Sequence, residues 1–196
     1  MTADWMGAVI ASRIVIRVPR GDALRGFLFL QVERERRNGM HVKDFAEIEA
    51  VFMERVQRMV WCNVATIDGK GRPRSRILHP IWEGATGWIT THRTSYKAKH
   101  LAANPYVSLA YVQDIQQPVY ADCVAEWVED VGEKTRIWNL FKTTPPPLGY
   151  DPEPEFIRPD HADFGLLRLT PWRIDVVSFP APSFEEGTRV WRREGS

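Results

Sequence analysis

Arg72, Arg74 and Arg76 stand at alternate positions in the segment Arg72-Pro73-Arg74-Ser75-Arg76-Ile77-Leu78-His79-Pro80. An extended strand would carry all three on one face, and that face would run on into Leu78 and Trp82. Guanidinium groups in such a row repel one another unless an anion lies between them, and their planar forks match phosphate oxygens. The same spacing also serves a solvated basic edge that deters pairing between molecules. A second segment, Thr90-Thr91-His92-Arg93-Thr94-Ser95-Tyr96-Lys97, leads into a predicted helix. Free N–H groups and the positive end of the dipole attract anions at such a start. Lys97 in the first turn opposes that dipole by a few tenths up to about 1 kcal/mol. No acid occurs from Thr90 to Asn104 to offset it. A bound phosphate would convert the conflict into attraction, with the hydroxyls of Thr90, Thr91 and Ser95 on its remaining oxygens. A lysine tolerated on a short surface helix is the plainer alternative.

Other chemistries find less support. His41, His79, His92, His100 and His161 have no metal-ligand grouping, so no metal is expected; His79 lies closest to the arginine row. Cys62 and Cys123 lack zinc-type spacing and read as buried strand residues in a reducing compartment, which points to the cytoplasm. No Gly-x-Ser-x-Gly or nucleophile with a local base occurs, and no catalytic side chain stands out. Lys plus Arg number 26 against 25 acids, a net charge of +1 that offers no global field for nucleic acid or an anionic membrane. The apolar run Met6 to Val18 is broken by Arg13 and Arg17, so neither a signal peptide nor a membrane span is expected. Eight tryptophans, among them Trp61, Trp82, Trp88, Trp127 and Trp172 in or beside predicted strands, could wall an apolar slot for a planar ring.

The elements that must hold these residues follow from period and punctuation. Residues 1–40 show no clean period and read as an extension. From Asp44, Phe45, Ile48, Phe52, Val56 and Met59 recur at helical intervals. Val60 to Ile67, Arg72 to Glu83 and Trp88 to Thr91 read as a three-stranded antiparallel meander, with turns at Asp68-Gly69-Lys70-Gly71 and Gly84-Ala85-Thr86-Gly87. Ser95 is a candidate N-cap for a helix from Tyr96 to Ala103, stopped by Asn104-Pro105. Strands Val107 to Val112 and Val119 to Val128 follow, then a helix from Gly132 to Phe141. The excursion from Thr143 to Pro159 holds six prolines, which should forbid regular structure. Phe164 to Leu169 and Arg173 to Phe179 return to strand character, and the tail from Pro180 loses pattern. This order predicts a mainly β, α+β fold: a six- to seven-stranded antiparallel split β-barrel with short rim helices, spanning residues 41–180 between the extension and a C-terminal tail, 181–196.

Three features together resemble the pyridoxamine 5′-phosphate oxidase-like, flavin-binding split-barrel family, especially the actinobacterial flavin/deazaflavin oxidoreductases. They are Gly71-Arg72-Pro73, the run Thr90-Thr91 with Ser95-Tyr96-Lys97, and Leu101-Ala102-Ala103-Asn104-Pro105-Tyr106-Val107-Ser108-Leu109. The resemblance implies a homodimer with flavin mononucleotide (FMN), or alternatively a deazaflavin coenzyme, in a groove between subunits, acting on a small-molecule substrate. The cofactor-binding set is Arg74, Ser75, Arg76, Ile77, Leu78, His79, Thr90, Thr91, Ser95, Tyr96, Lys97 and Gln117; the resemblance implies backbone atoms from Arg76 to Ile81 along the ring and Thr90, Thr91, Tyr96 and Lys97 near the phosphate. Arg93 or Lys99 would meet the polyanionic tail of a deazaflavin. Tyr96 replaces the family arginine beside the phosphate lysine, and the tail Val190-Trp191-Arg192-Arg193-Glu194 lacks the Arg-Leu-His-type segment of the pyridoxal-forming enzyme. The expected activity is therefore a related hydride transfer to or from a small organic substrate, not pyridoxamine 5′-phosphate oxidation itself. The alternative class is a non-catalytic flavin- or haem-binding stress or sensor protein.

Overall fold

The computed structural model describes residues 39–195, so the expected N-terminal extension lies almost wholly outside the described residues. Strand β1 (Met40–Val42) leads into helix α1 (Ala46–Met59), whose apolar stripe Ile48, Phe52, Val56 and Met59 is buried as its spacing predicts. Strands β2 (Cys62–Ile67) and β3 (Pro73–Leu78) form a hairpin, followed by β4 (Ile81–Glu83) and β5 (Thr86–His92). Helix α2 (Tyr96–Ala103) has the bounds that the sequence predicts, and β6 (Tyr106–Tyr111) and β7 (Val119–Val128) follow. Helix α3 (Val131–Thr143), the short α4 (Glu153–Phe156), β8 (Phe164–Val177), one turn of helix α5 (Phe184–Gly187) and β9 (Thr188–Arg192) complete the order.

All nine described strands belong to one sheet of order β1-β9-β8-β7-β6-β2-β3, with β4 and β5 attached through β8. The fork lies at β8. One of its edges pairs with β7 from Val128↔Leu166 to Val119↔Val176, while the other pairs first with β5 and then with β9. The register of β7 against β8 shifts between Asp122 and Cys123, opposite the Thr170-Pro171-Trp172 stretch. Pro171 has no N–H to give to a ladder, and a bulge lets one bent strand continue past it.

Five expectations need correction. The single strand expected from Arg72 to Glu83 is two, β3 and β4, broken at His79-Pro80 where proline both lacks a donor and restrains its predecessor. The two strands expected from Phe164 to Phe179 are one. The excursion 143–159 does hold regular structure, because α4 takes its prolines at its start, where an N–H would have no intrahelical acceptor anyway. The patternless tail contains β9, whose Thr188, Val190 and Trp191 are buried while Arg189 and Arg192 are exposed. With β1 added, the strand count becomes nine instead of six or seven.

Two cores result. In the barrel, α1 packs on Val64, Leu109, Tyr111, Val119, Leu167, Ile174 and Val176, each large side chain giving about 1.5–3 kcal/mol on full burial. Trp82 Nε1 donates to the buried Tyr111 hydroxyl at 2.8 Å, so neither polar atom is stranded. Both cysteines are buried and free, and burial pushes the Cys62 thiol up to about 12, which leaves it inert. The second core, Ile81, Trp88, Ile137, Trp138, Phe141, Phe156, Phe164 and Leu166, seats α3 and α4 against β4, β5 and β8. No helix among the described residues is long and apolar enough to cross a membrane.

Candidate functional site

The β2–β3 hairpin places the arginines. Its register sets Thr66 opposite Arg74, Val64 opposite Arg76 and Cys62 opposite Leu78. Because Cys62, Val64 and Thr66 are buried, Arg74, Arg76 and Leu78 share the inward side while Ser75 and Ile77 face out, Ile77 being 61% exposed. Arg72 does not join the row. It precedes β3, and its guanidinium lies 2.7 Å from Asp68 across the turn, holding that carboxyl well below the usual range. Trp82, also expected on this face, sits beyond the His79-Pro80 break in the barrel core.

Arg76 turns back across its own hairpin. Its Nη1 donates to the Val64 carbonyl at 3.2 Å and to Thr66 Oγ1 at 2.8 Å. Thr66 Oγ1 is in turn 2.9 Å from His100 Nδ1, which ties β3 and β2 to α2. Since arginine only donates, the threonine hydroxyl proton is left for the imidazole. One turn earlier on α2, Lys97 is half-buried, and its ammonium is pulled below its ordinary value first by desolvation and then by the Arg76 charge, with Glu155 opposing. Arg76 is likewise lowered by burial and by Arg74. Two cations thus stand within electrostatic reach of each other, and among the described residues no carboxylate forms an ion pair with either. Ser95 does begin α2, yet its side chain donates to the His92 carbonyl at 2.8 Å instead of capping the helix. Tyr96 is 81% exposed.

On β5, Thr90 and Thr91 point to opposite faces, so they do not meet in one site. Thr91 is buried, whereas the Thr90 hydroxyl bonds Tyr150 OH in the proline-rich excursion. Tyr150 also covers His79, ring centroids 5.4 Å apart, and Trp61 approaches the same imidazole at 4.8 Å. Burial keeps His79 below its ordinary value, and its Nε2 is buried without a partner. His92 is clasped on both sides: Nδ1 lies 2.7 Å from Asp163 Oδ2 and Nε2 lies 2.7 Å from Glu155 Oε1. These bonds, with Asp163 first, raise the imidazole above its ordinary value. Gln117 stands elsewhere, accepting from Arg58 Nη2 at 2.8 Å beside the end of α1. Arg93 is paired with Glu129 and lies over the Trp127 ring.

Sequence reasoning thus singled out Arg76 and Lys97 but not the residues the structure sets around them, Thr66, His100, Tyr150 and the His92 clasp. Thr66 was within reach, since the Asp68–Gly71 turn fixes the register opposite the arginines. Tyr150, Glu155 and Asp163 had no local signal, because their partners lie 60, 63 and 71 residues away.

The family model described as pyridoxamine 5′-phosphate oxidase matches residues 48–178. No curated protein sequence matches the chain. Several solved structures share the fold at low identity. A Clostridium acetobutylicum protein related to general stress protein 26 (pyridoxinephosphate oxidase family) has a TM-score of 0.59 at 16% identity, over 76% of this chain and 96% of its own. A pyridoxamine 5′-phosphate oxidase-related, FMN binding protein of Nostoc punctiforme has a TM-score of 0.56 at 14% identity, over 76% and 92%. A NimC/NimA family protein, also from C. acetobutylicum, has a TM-score of 0.55 at 16% identity, over 67% and 88%.

Proposed function

Because the chain belongs to the pyridoxamine 5′-phosphate oxidase family, we propose that it is an oxidoreductase that binds FMN, or alternatively a deazaflavin coenzyme, and transfers hydride to or from a small organic substrate. The observation that carries this reading is Arg76 and Lys97: two partly buried cations, Arg76 tied through Thr66 to His100 one turn beyond Lys97 on α2, and neither ion-paired with a carboxylate among the described residues. Such a pair costs stability when empty and fits a phosphate, whose oxygens accept from both. Arg76 and Lys97 would hold the phosphate, while Arg74, Leu78 and the neutral His79 flank the ring. Thr90 and Ser95 have their hydroxyls engaged by Tyr150 and the His92 carbonyl, and Gln117 is engaged by Arg58, so these three are not needed in the assignment. A bound flavin supplies the hydride donor and acceptor; the chain's residues anchor, orient and exclude water.

The active form is proposed to be a homodimer in the cytoplasm, with the site completed by the second subunit. The outward face of β3, β2, β6 and β7 supports this. Cross-strand neighbours Ile77, Asn63, Ala110 and Tyr120 form one row and Ser75, Ala65, Ser108 and Asp122 the next, so Asp122 is the one charge in eight positions. A flat face so poor in charge suits burial against its own copy. The buried, free cysteines suit a reducing compartment.

Titration with FMN and with a deazaflavin coenzyme, followed by visible spectra, tests binding, and addition of a nicotinamide donor tests turnover. The reading expects a perturbed spectrum with one of the two and reduction of the bound chromophore. Binding without reduction by any donor would favour the alternative, a non-catalytic flavin- or haem-binding stress or sensor protein, which the stress-protein name of the C. acetobutylicum neighbour supports.

A further inference from the structure

The geometry points to an electrostatic gate on this anion site: protonated His92 holds Glu155 away from Lys97, and loss of that proton frees Glu155 to compete with a bound phosphate. The inference rests on the reading that Arg76 and Lys97 grip a ligand's phosphate. It concerns how that grip is regulated.

Glu155 belongs to α4 and faces three groups of the site at once. Its Oε1 is bonded to His92 Nε2 at 2.7 Å. Its charge is felt by Lys97, where it opposes the effect of Arg76, and by Tyr150, which covers Thr90. No ion pair joins Glu155 to Lys97 among the described residues; the carboxylate is spent on the imidazole instead. The groups facing His92 are few. From α4 come Glu155 and the Phe156 ring at 4.9 Å, and from the segment before β8 comes Asp163, whose backbone N–H bonds His161 Nδ1. Just after β5 the neighbouring Arg93 is turned away to Glu129. From α2, Lys97 is linked to the cluster through Glu155.

A charged imidazole donates to both carboxylates; a neutral one has a single proton and must drop one of them. Asp163 is the better-held partner, since it also accepts from the Thr94 hydroxyl at 2.8 Å and its side chain is 34% exposed against 54% for Glu155. The neutral tautomer therefore keeps its proton on Nδ1 towards Asp163, and Nε2 presents a lone pair to Glu155. Repelled there, the carboxylate is left to Lys97, a cation that already feels its charge and has no ion-pair partner among the described residues. A ligand phosphate then meets one positive charge already neutralised.

The test is fluorescence titration of the full chain with FMN from pH 7 to 9, a range in which a phosphate monoester with a second pKa of about 6 stays dianionic. Wild-type affinity should fall about three- to tenfold, the effect of one partly screened charge near the phosphate. His92→Phe, which keeps the ring contact with Phe156, should bind at pH 7 as weakly as the wild type does at pH 9. Glu155→Gln should flatten the profile, and the double variant should regain the affinity that His92→Phe loses. Equal profiles for wild type and Glu155→Gln, or a double variant as weak as His92→Phe, overturn the gate. Failure of both FMN and a deazaflavin coenzyme to bind at every pH in every form overturns the phosphate reading itself, and the gate with it.

Discussion

Arg76 and Lys97 carry the functional reading, and both were visible as residue types in awkward places: an arginine in a like-charged row and a lysine in an acid-free first helical turn. What the linear pattern could not show is that Arg76 folds back onto Val64 and Thr66, or that His92 finds two carboxylates in the distant excursion. The clasp has a pH signature of its own. His92 is raised above 6.5, so its contribution to stability is complete below that value and is lost as pH rises through the folded-state value. Asp163 is lowered below 3.8, so its contribution is present above that value and is lost as pH falls through the folded-state value. Thermal midpoints measured across pH should therefore decline as pH rises above about 6.5 in the wild type and much less so in His92→Phe. Parallel curves for the two proteins would remove the clasp from the list of pH-sensitive contacts.

The two cations are held by a set of elements whose positions depend on a few backbone requirements. The excursion after α3 is the least legible of them. Its six prolines read as a barrier to structure, yet two of them, Pro152 and Pro154, form the entry to α4, and the excursion delivers Tyr150 to Thr90 and His79. Gly149 is the pivot of that path: its N–H reaches the Pro145 carbonyl at 3.0 Å, and an added Cβ would lie 1.8 Å from the Thr144 carbonyl oxygen and 2.8 Å from that of Phe141. Both obstacles are backbone and cannot step aside. Gly149→Ala should cost about 1–3 kcal/mol, a fall in thermal midpoint of about 2–12 °C for a chain of this size. Gly69→Ala, with nothing within 4 Å of the new Cβ, serves as the control. Equal midpoints for the two variants would show that the excursion is not seated in this way. Helices α1 and α2 were legible because a 3.6-residue stripe and a helix-stop pair announce them, and β7 because its residues alternate. Strand β9 was not, since five residues with two outward arginines and two adjacent buried side chains show no clean period.

At the scale of the whole molecule, the fold class follows from the order of strand and helix signals, but the branching of the sheet does not. It depends on the fork at β8, and no local pattern announces that one strand will serve β5 and β9 in turn. The near-zero net charge was equally legible, and it argues against a general basic surface. Association should run through the charge-poor face of β3, β2, β6 and β7. Ile77→Arg, at a position already 61% exposed and so cheap for the isolated subunit, should shift sedimentation from dimer to monomer. Unchanged sedimentation would exclude that face. Whether the barrel serves as a phosphate-anchored flavoprotein is answered most directly by parallel equilibrium titrations with FMN and with riboflavin, which lacks the phosphate. Charge-assisted hydrogen bonds of about 1.5–3 kcal/mol predict that the wild type prefers FMN by roughly ten- to a hundredfold or more, and that the preference collapses in Arg76→Ala and Lys97→Ala. Equal affinity for the two flavins, or a preference that survives both substitutions, would contradict it.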